Sequence, residues 1–230
     1  MITRTEKQTK VKQIVAVFFY GISVITFGLF VFYMTHPRYR LDVSSTLFFS
    51  LIVCGALIIG TCFLTSATSD FAKKCKIIRK TIIVLFAVYV LCLIDLLFFQ
   101  NRFISEIRFD LANLELRANF IPFDTIMTYL NAGGRLSINI IIINILGNLF
   151  AFAPMGFFLP ILFDKMKKFI FYIITISVML LAVETIQLVF RVGVFDVDDI
   201  LLNSIGAILV WLLFKTLFKL RYFQKMVDKI

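Results

Sequence analysis

Between Glu184 and Asn203 the chain crowds together Glu184, Gln187, Arg191, Asp196, Asp198, Asp199 and Asn203 in a stretch that is otherwise almost wholly apolar. At helical spacing Glu184, Gln187 and Arg191 stand at i, i+3 and i+7, within about 60° of one another. A carboxylate, an amide and a guanidinium so aligned can orient a ligand, move a proton or clamp an anion bidentately. The run Asp196-Val-Asp-Asp199 adds oxygens of the kind that suit Mg²⁺ or Ca²⁺. Asp199 and Asn203, one turn apart, share a helix face, as do Asn144 and Asn148. Asparagines of this kind hydrogen-bond across membrane helices for about 1 kcal/mol.

Other chemistry is missing from the sequence. No Ser-His, Cys-His or HExxH constellation is present, and Cys54, Cys62, Cys75 and Cys92 show no CxxC spacing. The residues imply neither a disulfide framework nor a cofactor. His36, the sole histidine, stands at the end of an apolar run with no partner motif.

These side chains must be positioned by apolar elements. The chain of 230 residues is 60% hydrophobic and 17% charged. With a mean hydropathy of +0.96, that excludes an ordinary soluble domain. Six runs, roughly 14–34, 45–66, 81–99, 138–162, 169–190 and 199–218, reach the length of about 20 residues that a bilayer requires. The expected fold is all-α, a polytopic membrane protein of six transmembrane helices. A polar stripe inside such helices cannot face lipid cheaply, so it faces protein or a water-filled cavity.

The net charge of +10 does not mark a nucleic-acid binder, because its placement follows the spans. The amino terminus, the 67–80 segment, the 163–168 turn and the tail hold 17 of the 24 basic residues, every lysine among them. The rest are Arg38, Arg40, Arg102, Arg108, Arg117, Arg135 and Arg191. Positive-inside bias therefore predicts that both termini are cytoplasmic and that 100–137 is one long external loop. Phe103, Ile107, Leu111 and Leu114 recur there at helical spacing, and Pro122 and the Gly133-Gly134 pair break the backbone. In this topology Asp95, Asn144, Asn148, Glu184, Gln187, Asp199 and Asn203 all lie in the outer half of the membrane. The inner half is apolar, which does not suit a through-channel.

Three motifs carry a resemblance. They are Asn119-Phe-Ile-Pro-Phe-Asp-Thr-Ile126, Asn144-Ile-Leu-Gly-Asn-Leu-Phe-Ala-Phe-Ala-Pro-Met-Gly156, and Glu184-Thr-Ile-Gln187 with Asp196-Val-Asp-Asp-Ile-Leu-Leu-Asn-Ser-Ile-Gly206. In order and spacing they resemble the VanZ family of bacterial membrane proteins, over roughly residues 81–215. One departure is Val210-Trp211, where members often carry a glycine. The first two spans look like an extension, so the expected organisation is an N-terminal hairpin with a basic loop over 1–80 and a VanZ-like domain over 81–230. The family is named for a protein conferring low-level teicoplanin resistance. The resemblance implies a bacterial plasma-membrane protein linked to the cell envelope or to antibiotic response.

Three readings of the polar residues follow. In the first, an outward pocket of Glu184, Gln187, Arg191, Asp196, Asp199, Asn203, Asn144, Asn148 and Arg135 binds or shields a lipid-linked wall precursor or a lipophilic glycopeptide. Membrane lipids are then its neighbours, and Arg191 and Arg135 pair with phosphate or carboxylate. In the second, an intramembrane enzyme uses Glu184 as acid or base, Arg191 as a clamp and Asp196, Asp198 and Asp199 as a divalent-metal site. In the third the cluster is structural, with Glu184 paired to Arg191 and the asparagines joining helices. A faint echo, Asn144-Ile-Leu-Gly147 and Asn203-Ser-Ile-Gly206, raises the further idea of an internal repeat.

Overall fold

The computed structural model describes residues 4–36, 42–99, 109, 111, 114–131, 138–219 and 224. Six helical segments among them are long and apolar enough to cross a membrane: Thr5–Thr35, Val43–Ser66, Phe71–Phe99, Ile141–Leu162, Phe169–Val189 and Val197–Phe218. Their outer faces are greasy. In the first, Ile14, Val17, Val24 and Ile25 are each 67–70% exposed. Such faces suit lipid, while the helical backbone satisfies its own hydrogen bonds.

The chain forms two compact units, Met1–Ile104 with Lys225–Ile230, and Ser105–Gln224. In the first, α1 (Arg4–Thr35), α2 (Val43–Ser66) and α3 (Phe71–Ile94) pack around Phe30, Val53, Val88 and Cys92. Hydroxyls join them as well: Thr61 Oγ1 lies 3.1 Å from Tyr20 Oη and 2.8 Å from Thr81 Oγ1. The expected basic loop over 67–80 is mostly helix. Asp70 caps α3 by accepting from the Ala72 and Lys73 amides at 2.9 and 3.3 Å, so Lys73 through Lys80 lie on its first turns. Hydropathy marks where lipid begins, whereas the cap marks where the helix begins, and here the two are about ten residues apart. After Ile94 the helix widens into a π-helical turn over Asp95–Phe99. There Asp95, 4% exposed, accepts from Thr46 Oγ1 at 2.7 Å.

The second unit contains α4 (Asp124–Leu130), α5 (Ile138–Ala151), α6 (Met155–Leu162), α7 (Phe169–Val189) and α8 (Val197–Phe218). A two-residue parallel pairing of β1 (Ala118–Asn119) with β2 (Phe195–Asp196) is the one addition to an otherwise helical fold among the described residues. Within the long segment expected to be external, Leu114–Arg117 forms a 3-10 turn ahead of β1. The amphipathic helix expected on Phe103 and Ile107 falls outside the described residues. The fourth span is a broken helix. Around Pro154 the bonds shorten to Met155 N–Phe152 O and Gly156 N–Ala153 O, both 3.0 Å, before α6 resumes the path.

Helix α8 packs against α5, α6 and α7, and two glycines allow the closest approaches. A Cβ on Gly156 would stand 2.5 Å from Ala207 O and Trp211 N, and one on Gly206 would overlap Leu149 O. A Cβ on Gly147, by contrast, would meet nothing within 4 Å, so the two N-x-x-G segments are not equivalent in packing. Trp211 stacks on Tyr172 at 5.7 Å and donates from Nε1 to Met166 O at 2.9 Å.

Candidate functional site

The site grows from the end of α7. Arg191 N–H reaches Leu188 O at 3.3 Å and Val192 N–H reaches Gln187 O at 3.0 Å, the paired bonds of a Schellman ending. Arg191 takes the left-handed position at φ 53°, a place that favours glycine. The helix therefore stops at Val189, and the expected stripe divides. Glu184 is buried, Gln187 half-buried, and Arg191 exposed beyond the helix. Arg117 supplies the cation at this C-terminus. Its Nη1 donates to Leu188 O at 3.1 Å and its Nη2 to Gly193 O at 2.8 Å.

Next to it the β1–β2 pairing sets Asn119 opposite Asp196. Asn119 Oδ1 accepts from Ile121 N–H at 3.0 Å, turning the chain ahead of Pro122. Its Nδ2 donates to Thr125 Oγ1 at 2.9 Å and to Asp196 Oδ1 at 3.4 Å. Thr125 in turn donates to Asp196 Oδ2 at 2.5 Å. Asp196 also caps α8, accepting from Asp198 N–H at 2.9 Å, and its own N–H donates to Glu184 Oε2 at 3.1 Å. Asp198 is fully buried and accepts from Phe123 N–H at 2.5 Å and Ile126 N–H at 3.1 Å. Those amides begin α4, and Phe123 sits at φ 68°, so the carboxylate secures a strained turn against a helix N-terminus.

Glu184, Asp196 and Asp198 therefore form a brace. They turn carboxylate oxygens toward amides and a hydroxyl of the chain itself, which is the opposite of a cation-ready site. Among the described residues no group of three His, Cys, Asp or Glu side chains is placed to hold a metal ion. In the run Asp196-Val-Asp-Asp199 the carboxylates diverge, Asp198 facing α4 and Asp199 facing α5. The Glu184–Arg191 pair is corrected: among the described residues no basic side chain pairs with Glu184, whose carboxylate meets the Asp196 amide instead.

A second, smaller set stands beside the brace. Asn148 Nδ2 donates to Asp199 Oδ1, and Asn203 Nδ2 donates to Asp199 O at 2.8 Å. Asn203 is 3% exposed, and its Oδ1 is buried without a hydrogen-bond partner. Tyr129 of α4 is near enough for the charges of Asp199 and Asp196 to act on it. Burial first, and those charges second, push its hydroxyl above the usual tyrosine range, so it stays protonated. Asn144 lies half-buried one turn before Asn148, and Arg135 lies outside the described residues.

A family model described as VanZ/LLP1 matches residues 86–219. The chain belongs to the VanZ/LLP1 family. No curated protein and no solved structure matches it. In this VanZ-family membrane protein the matched stretch contains the whole network from Arg117 to Asn203 and leaves α1 and α2 outside. Sequence reasoning passed over Arg117, Thr125 and Tyr129. Thr125 lies inside a quoted motif, and Tyr129 follows it by four residues, the spacing that puts both on one face of α4. Arg117 carried no signal beyond its place two residues before Asn119.

Proposed function

We propose that this protein lies in the plasma membrane of a bacterium with both termini in the cytoplasm and the Asp199 cluster on the outer side. There it binds or shields a lipid-linked wall precursor or a lipophilic glycopeptide of the teicoplanin kind, and so contributes to glycopeptide resistance. The confinement of every lysine to the amino terminus, the α2–α3 region, the 163–168 turn and the tail supports this orientation. The observation that carries the ligand reading is the unused acceptor of Asn203 beside Asp199. The neighbouring brace satisfies its own groups, whereas this set holds a buried polar atom that nothing among the described residues pairs. Intramembrane ionisable residues in such surroundings mark functional sites by default.

The test is a deletion strain complemented with the wild type, Glu184→Gln or Asp199→Asn, with membrane abundance measured in each. Deletion is expected to raise teicoplanin susceptibility and to change surface binding of the labelled drug. Asp199→Asn is expected to reproduce the deletion at normal abundance. Unchanged susceptibility and unchanged drug binding on deletion refute the reading. A loss that tracks abundance alone assigns the cluster to scaffolding.

A further inference from the structure

We propose that the Asp199 cluster takes a primary ammonium group, the cationic and donor-rich end of an envelope ligand, in preference to a phosphate. This rests on the ligand-binding reading above and specifies the chemistry of what is bound.

The orphan in the cluster is an acceptor. Asn203 Nδ2 points at the carbonyl oxygen of Asp199, 2.8 Å away. A carbonyl can only accept, so the amide orientation follows from chemistry and the unpaired atom is Oδ1. Asn203 and Asp199, four residues apart on α8, share one face of that helix. A buried acceptor without a donor loses its hydration for nothing in return, which favours any ligand that brings an N–H or O–H.

The charge nearby has the same sign of demand. Glu184, Asp196, Asp198 and Asp199 come together at the start of α8, and among the described residues no basic side chain pairs with Glu184 or Asp199. Among the described residues Arg117 brings a guanidinium into this region, and it gives both Nη atoms to backbone carbonyls. A phosphate would bring acceptors to an orphan acceptor and negative charge to a carboxylate. An ammonium brings three donors and a positive charge, one N–H for Asn203 Oδ1 and another for Asp199. A trimethylammonium carries the charge without the donors and satisfies only half of the demand.

A primary ammonium ends an aminolipid headgroup and also soluble amines, and one experiment separates the two. The full chain, purified in detergent, is titrated with phosphatidylethanolamine, phosphatidylcholine or phosphatidylglycerol of identical acyl chains. Bound lipid is counted by native mass spectrometry, with ethanolamine as the soluble competitor. Phosphatidylethanolamine is expected to bind at least about tenfold more tightly than either other lipid, and Asp199→Asn to erase that preference. The preference is read on the wild type, so it needs no variant to fold. Asp199→Asn keeps an oxygen for Asn148 to donate to. Displacement by ethanolamine supports the soluble-amine form, and binding that ethanolamine leaves intact supports the lipid form. Equal binding of the three lipids with no competition by ethanolamine overturns the proposal, as does an undiminished preference in Asp199→Asn. If deletion still alters teicoplanin susceptibility when no amine preference exists, this inference falls and the ligand-binding reading stands. Amine preference with unchanged susceptibility upholds the inference and refutes the resistance reading.

Discussion

Asp198→Asn tests the brace at the point where the structure concentrates most of its strength. The wild-type carboxylate is fully buried and accepts the Phe123 amide at 2.5 Å and the Ile126 amide at 3.1 Å. Hydrogen bonds to a charged acceptor contribute about 1.5–3 kcal/mol each. Asparagine keeps one oxygen and turns an NH₂ toward the other amide, so one bond of that kind is lost and a donor faces a donor. Local opening of residues 118–131 should become easier by about 2–3 kcal/mol, or roughly 30- to 150-fold in equilibrium. Hydrogen–deuterium exchange followed by mass spectrometry reads this directly, since exchange of protected amides reports local opening. Peptides spanning 118–131 should exchange faster by that factor in the variant. Peptides from the middle of α7 serve as the internal control. Exchange over 118–131 within about twofold of wild type would refute the brace, because thermal opening cannot ignore a lost bond of this size.

Two further outcomes follow from the same geometry. Gly206→Ala should lower stability by about 3 kcal/mol or more, because its Cβ would overlap the backbone oxygen of Leu149 and α5 must move away from α8. Gly147→Ala, with nothing within 4 Å, should be neutral or stabilising by up to about 1 kcal/mol. Thermal unfolding of the two variants in one detergent compares them, and equal shifts would contradict the packing described. Arg117→Lys should weaken the end of α7 by about 1–2 kcal/mol, since one ammonium cannot reproduce the fork to Leu188 O and Gly193 O. Faster exchange confined to the α7 end and the β1–β2 pairing is the signature. A wild-type exchange pattern there would mean that the fork contributes nothing.

Much of the fold was legible because a bilayer imposes a coarse rule. Spans two, four, five and six stand within a few residues of the apolar runs, since both are set by the need for about 20 lipid-facing residues. The break in the fourth span falls at Pro154, which has no N–H to continue the helix ladder, whereas Pro160 sits within α6. The start of α3 was not legible, because Lys73 through Lys80 are good helix formers that hydropathy scores as loop. Arg191 was misread for a related reason. Spacing extends a helix through any compatible residue, and only the backbone at φ 53° shows where it stopped.

Sequence alone determined that this is a helical membrane protein of the VanZ/LLP1 family with its polar residues gathered near Glu184 and Asp199, because composition and motif are properties of the chain read in order. It did not distinguish Asp196, Asp198 and Asp199, three like carboxylates within four positions. Tertiary structure separates them: Asp196 caps α8 and holds Thr125, Asp198 secures α4, and Asp199 meets Asn148. The physical reason is that a carboxylate acquires its role from its donors, and those of Asp198 come from amides as far as 75 residues earlier in the chain.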